Sequence, residues 1–122
     1  MEMYQHPSAY PAHNSLKFRK QIEAFRETIH AEIHPMQMLV FLEVINNPPM
    51  TVSVSYINDL LVITQAAASR HCRALTERYS PSRDGYGLCT WIQCPKDFRS
   101  KYLQLTEKGL LVAEKLRANF QK

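Results

Sequence analysis

No apolar run in this 122-residue chain approaches the roughly 20 residues needed to cross a bilayer, so no membrane partner is expected. The opening residues MEMYQHPSAYPAHNS carry no signal-peptide apolar core. Cysteine is scarce and odd in number. Cys72, Cys89 and Cys94 show no paired spacing, which argues against a disulfide scaffold and for a reduced, cytoplasmic setting. Cys89 and Cys94 fall on one expected strand and point to opposite faces, which argues against a bond between them. Cys72 reads as core packing on the inner face of a helix. The sequence also lacks a nucleophile elbow, a phosphate loop and paired catalytic carboxylates, so the expectation is a non-enzyme without a cofactor.

What is present is an apolar fraction of 45% with 21% charged residues, ordinary for one folded domain of this length. The charge is unevenly placed. Between Gln65 and Lys101 stand Arg70, Arg73, Arg78, Arg83, Lys96, Arg99 and Lys101 against Glu77, Asp84 and Asp97. That stretch carries a net +4, the whole excess of the chain, and the remainder is neutral. A basic footprint confined to one third of a sequence suits a polyanion such as nucleic acid.

Residues 1–15 hold the breakers Pro7 and Pro11 and no period, and read as a flexible N-terminal arm. From 16 to 33, Leu16, Ile22, Phe25, Ile29 and Ile33 form the apolar stripe of an amphipathic helix. His34-Pro35 interrupts it, and Pro35 suits the first turn of the next helix. MQMLVFLEVINN at 36–47 is apolar nearly all round, which predicts a central buried helix that Pro48-Pro49 ends. Thr51-Val52-Ser53 reads as extended, and Ser53 or Ser55 can cap a helix through Ile57, Leu60 and Leu61. Thr64 is a good N-cap for a further helix from Gln65 to about Tyr79.

Two short helices so closely joined are the sign of a helix-turn-helix. On the second, Ala68, Cys72, Leu75 and Tyr79 recur at inward spacing. Gln65, Ala66, Ser69, Arg70 and Arg73 share the polar face, and small Ala66 and Ala67 would let the backbone approach a groove floor. Gln65 can pair with adenine, Arg70 and Arg73 with guanine or phosphate, and Ser69 with either. An ordinary surface helix with two arginines would show the same pattern. The following segment favours the first reading. Leu88–Cys94 is rich in strand formers, Lys101–Leu105 alternates, and Pro95–Ser100 would form the tip of a β-hairpin carrying Lys96 and Arg99. A basic hairpin after a helix-turn-helix is a wing, suited to phosphates or a minor groove. Trp91 and Tyr102 would pair across it. Thr106 then caps a last helix whose apolar face is Leu110, Leu111, Ala113, Leu116 and Phe120. The fold class is therefore mainly α with a small β-hairpin, a winged helix-turn-helix.

IleThrGlnAlaAlaAlaSerArg at 63–70, with AspPheArgSerLysTyrLeuGlnLeuThrGluLysGly at 97–109, resembles the MarR family of bacterial transcription regulators. The resemblance covers about residues 35–117 and is most specific at LeuThrGluLysGly. It implies a sequence-specific regulator of transcription, a repressor, in the nucleoid-associated cytoplasm. Double-stranded DNA would meet Thr64, Gln65, Ala66, Ala67, Ser69, Arg70 and Arg73 in the major groove, and Lys96, Arg99 and Lys101 on the wing. Asp97 would orient Arg99 through a salt bridge. The resemblance further implies one domain over 16–122, with a DNA-binding core and wing at 51–105. Helices 16–33 and 106–121 would build a homodimer on an inverted-repeat operator, leaving room for a small-molecule effector. The chain departs from the family pattern at Val62, where glycine is usual, and at Arg78-Tyr79-Ser80-Pro81-Ser82, where the usual exit is Leu-Glu-x-x-Gly. It is also shorter after Gly109.

His30 and His34 stand at a helical i, i+4 spacing suited to zinc, but no matched cysteine or carboxylate completes a site, so no metal is expected. The competing readings are a winged-helix interaction module of a replication, partition or phage complex, binding DNA non-specifically or a protein, and a metal enzyme built on the two histidines.

Overall fold

The computed structural model describes residues 12–121, with side chains from Asn14. Helix α1 spans Ala12–Thr28, α2 Pro35–Asn46, α3 Val54–Leu61 and α4 Gln65–Leu75. Two short strands follow, β1 Arg78–Ser80 and β2 Arg83–Asp84, then β3 Cys89–Cys94, β4 Asp97–Leu105 and helix α5 Glu107–Phe120. The expected class holds: five helices and an antiparallel β3–β4 hairpin.

Helix α1 begins earlier than its apolar stripe implied, so residues 12–15 of the expected arm are helical; residues 1–11 lie outside the described residues. No proline or glycine intervenes between Ala12 and Thr28 to stop the helix. It also ends earlier, at Thr28 rather than at 33. Arg26 Nε donates to the Ala31 carbonyl at 2.7 Å and the Ile33 amide to the His30 carbonyl at 3.2 Å, which folds the chain into turns. Ile33 still buries its side chain, from a loop rather than a helix. Periodicity registered its burial and mistook its backbone.

Helix α2 starts in a reciprocal cap: His34 Nδ1 accepts from the Met36 amide at 3.0 Å, and Gln37 Oε1 accepts from the His34 amide at 3.3 Å. Val40, Phe41 and Val44 are buried, whereas Leu39 is exposed, so this helix has an outer face after all. The Val40 and Phe41 side chains join Phe25, Ile57, Leu75, Leu103 and Leu116 in one core shared by the five helices and the β3–β4 hairpin.

Helix α4 stops at Leu75, one turn short of the expected Tyr79, which lies in β1. Its final carbonyls are taken by the returning chain. Tyr86 donates to Ala74 at 2.8 Å, Leu88 to Leu75 at 2.7 Å and Gly87 to Thr76 at 3.0 Å. Thr76 Oγ1 donates back to the Arg73 carbonyl at 2.7 Å, the local competition that makes threonine a poor helix interior. The segment read as a turn-rich exit thus forms the β1–β2 hairpin, with its turn at Pro81-Ser82.

In the second hairpin Trp91 faces Leu103 and Ile92 faces Tyr102, so Trp91 and Tyr102 are not cross-strand partners. The tip is only Pro95-Lys96, and Asp97–Ser100 belong to β4. The Leu103 amide donates to the Val52 carbonyl at 2.8 Å, tying the hairpin to the segment before α3. Helix α5 is capped by Thr106 as expected, but Leu110 and Leu111 are 55% and 62% exposed. Val112 turns inward in their place beside Leu116, which is buried as expected, and the Phe120 ring lies 5.9 Å from that of Phe25 on α1 between ring centres. The cause is Gly109, on which a Cβ would collide with the Leu88 carbonyl oxygen; this close approach fixes the rotation of α5.

Candidate nucleic-acid interface

The turn between α3 and α4 sets how α4 is presented. Val62, 88% exposed, occupies the left-handed region at φ 53°, ψ 50°, where a β-branched residue is strained. Asn58 holds it there. Its carbonyl accepts from the amides of Val62 and of Ile63, and its side-chain amide donates to the Ile63 carbonyl. Thr64 then caps α4, its Oγ1 accepting from the Ala67 amide at 3.1 Å.

Along α4, Ala68, Cys72 and Leu75 are buried, as their spacing required. Gln65, Ala66 and Arg70 are exposed, and Ala67, Ser69 and Arg73 half-buried. The two arginines differ. Arg70 takes part in no hydrogen bond or salt bridge with the described residues. Arg73 is fixed: Nη1 donates to Ser69 Oγ at 2.7 Å and Nε to the Tyr79 carbonyl at 3.2 Å, with the guanidinium 5.8 Å from the Tyr79 ring centre.

On the β3–β4 hairpin, Lys96, Arg99 and Lys101 are exposed. The expected Asp97–Arg99 salt bridge does not form. Asp97 instead accepts from the Arg99 backbone amide at 3.0 Å and from Ser100 Oγ at 2.9 Å. The register explains this: Cys94 pairs with Asp97 while Gln93 pairs with Lys101, so residues 98–100 bulge out and the carboxylate is used to close the bulge. Its effect on Arg99 is through the backbone.

One cleft of about 440 Å³ joins the two elements: Ser69 and Arg73 of α4 and Arg99 and Lys101 of β4 line it together with Ser53, Ser55 and Trp91. Thr64, Gln65, Ala66, Ala67, Arg70 and Lys96 lie outside it. Ser53 and Ser55 were read from the sequence only as helix caps, and nothing in their spacing signalled that α3 would bring them beside the hairpin.

The histidines serve other ends. His34 caps α2 and His30 Nδ1 accepts from the Glu32 amide at 3.0 Å, so they do not share a helical face. No group of three metal-ligating side chains occurs among the described residues. His34 stacks on His71 of α4 at 4.7 Å, and partial burial, then the charges of His34 and Arg70, hold His71 below the usual histidine range. A second cleft, of about 340 Å³, opens between α2 and the β1–β2 hairpin and is lined by His30, Gln37, Ala74, Tyr79, Arg83 and Tyr86. Burial pushes the Cys72 and Cys89 thiols up to about 12, which leaves both as inert core groups.

No family model and no curated protein sequence matches the chain. Solved structures do. MepR of S. aureus in complex with DNA superposes with a TM-score of 0.71 at 18% identity, over 93% of this chain and 76% of that one. The chain has the fold of a MarR-type winged-helix regulator. Apo MarR from E. coli matches with a TM-score of 0.61 at 17% identity, over 98% of this chain and 80% of its own. PcaV of Streptomyces coelicolor, solved with its natural ligand, gives 0.57 at 16%, over 98% and 79%. The MarR resemblance carried by residues 63–70 and 97–109 therefore extends to the whole described fold. No helix among the described residues is long and apolar enough to cross a membrane.

Proposed function

We propose that this chain is a sequence-specific DNA-binding transcription regulator and not an enzyme. The observation that carries this reading is the cleft in which α4 and the β3–β4 hairpin present Ser69, Arg73, Arg99 and Lys101 together. Helix α4 enters the major groove, where Gln65, Ser69 and Arg70 meet base edges and Thr64, Ala66 and Ala67 allow close approach. Lys96, Arg99 and Lys101 meet phosphates or the adjoining minor groove. The fold shared with the MepR–DNA complex supports this placement.

The functional unit is a homodimer on an inverted-repeat operator. Leu16 and Phe18 on α1, with Leu110 and Leu111 on α5, leave large apolar side chains exposed on two helices that pack on each other. The cleft of about 340 Å³ beside α2 is large enough for a small-molecule effector, and PcaV offers the precedent of a ligand in this fold. Such a protein works in the cytoplasm on nucleoid DNA.

Alanine at Arg70 and at Arg99 tests the reading. Both side chains are exposed, so each variant keeps the parent's circular dichroism while losing affinity for a duplex selected by the parent. Two variants that bind as tightly as the parent would show that the reading surface lies elsewhere. Equal affinity of the parent for all duplexes would favour the interaction module over the regulator.

A further inference from the structure

The β1–β2 hairpin stands where the resembled family has a short Leu-Glu-x-x-Gly exit, so the resemblance gives it no role. It is a fixed extension of α4. Thr76 Oγ1, already bonded to the Arg73 carbonyl, also lies 3.1 Å from the Arg78 carbonyl, and the Gly85 amide donates to the Glu77 carbonyl at 2.9 Å. A Cβ at Gly85 would collide with the Thr76 carbonyl oxygen, so the returning strand packs directly on the end of the helix.

The hairpin also continues the polar face of α4. Ala66, Ser69, Arg70 and Arg73 follow one another at helical spacing, and Arg73 Nε reaches the Tyr79 carbonyl. Beside Arg73 lies a shallow depression of about 630 Å³ lined by Arg73, Arg78, Tyr79, Ser80 and Pro81. Its charged lining is two guanidinium groups, with no carboxylate among them. Arg78 Nη1 donates to the Pro81 carbonyl at 3.3 Å and Asp84, 83% exposed, approaches the same nitrogen only to 3.9 Å, which leaves the other N–H groups of the guanidinium without a partner among the described residues. Arg83 also lies over the Tyr79 ring, at 5.5 Å, which adds a third cation to the surroundings of that one side chain.

We infer that the β1–β2 hairpin is a phosphate clamp: Arg78, with the Ser80 hydroxyl, holds a backbone phosphate of the duplex flanking the groove that α4 enters. This rests on the reading of α4 given above. A planar guanidinium fork beside a hydroxyl matches a phosphate, and such contacts fix register without reading sequence. The loose contact with Asp84 does not compete with a phosphate, and the Pro81 carbonyl engages only one of the guanidinium's nitrogens.

Fluorescence anisotropy of a labelled mixed-sequence duplex about three helical turns long, titrated at several KCl concentrations, tests the clamp. The parent is compared with Arg78→Ala, Asp84→Asn, Arg70→Ala and Lys115→Ala, the last an exposed charge on α5. Arg78→Ala should weaken binding and reduce the slope of log affinity against log salt by about 0.9, the loss of one phosphate contact. Asp84→Asn should bind at least as tightly as the parent, and Lys115→Ala should match it. An unchanged slope in Arg78→Ala beside weakened binding in Arg70→Ala would overturn the clamp alone. Equal weakening by Arg78→Ala and Asp84→Asn would reduce Arg78 to a structural partner of Asp84. A parent that binds no duplex would overturn both the clamp and the reading of α4.

Discussion

Arg73 Nη1 lies 2.7 Å from Ser69 Oγ, one helical turn back along α4, so the guanidinium is oriented before any nucleic acid arrives. Its Nε bond to Tyr79 fixes the other edge of the same plane. Lysine at this position would keep the charge and lose the fork. Arg73→Lys should therefore bind a selected duplex more weakly than the parent while its salt slope stays the same. Salt-dependent anisotropy measures both, and equal affinity would show that Arg73 acts as a simple charge.

Val62 sits at φ 53° with its side chain almost wholly in solvent, so its side chain contributes little packing against the cost of its backbone. Glycine removes a left-handed penalty of about 1–2 kcal/mol and adds about 0.5–1 kcal/mol of unfolded-chain entropy. Val62→Gly should raise the melting temperature by a few degrees in calorimetry. A lowered melting temperature would mean that the valine side chain has a partner the turn depends on.

The turn shows what a sequence can and cannot disclose. Thr64 and Thr106 were legible as caps, and Ser53 as one of two candidates with Ser55, because a hydroxyl before an apolar period has one common use. Ala68, Cys72 and Leu75 were legible as core because helical spacing forces them to one face. Tyr79 was not, since the helix is stopped by amides of Tyr86 to Leu88 that arrive from farther along the chain. Leu110 and Leu111 misled for a similar reason: the rotation of α5 is set by the contact of Gly109 with Leu88, which no local period encodes. In the candidate site, charge and spacing pointed to Ser69, Arg73, Arg99 and Lys101, which the fold brings to one cleft, while Ser53, Ser55 and the hold of Tyr79 on Arg73 depend on tertiary contacts alone.

Cys72 and Cys89 have thiols raised to about 12 by burial, whereas an unfolded thiol titrates near 8.5. Between those values the unfolded chain loses protons that the folded one keeps, so stability is full below about pH 8.5 and falls as pH rises toward 12. Denaturant titrations at pH 8 and pH 10 should show this loss, and Cys72→Ala should flatten it. In the folded protein at pH 8 a thiol reagent should label half-buried Cys94 first and leave the other two largely unreacted.

The exposed Leu110 and Leu111 on α5 are the side chains expected to meet a second copy. Leu111→Glu places a charge on that surface without touching the core formed by Val112 and Leu116. Sedimentation velocity should report a dimer for the parent and a shift to monomer for the variant, with helical content unchanged. A monomeric parent, or a variant that stays dimeric, would move the interface elsewhere.

Sequence reading by α4 and the β3–β4 hairpin is tested by selecting bound duplexes from a random pool. The expected result is an enriched inverted repeat, its half-sites about one helical turn apart, with the enrichment lost in Arg70→Ala. A pool that leaves the selection as random as it entered would contradict it.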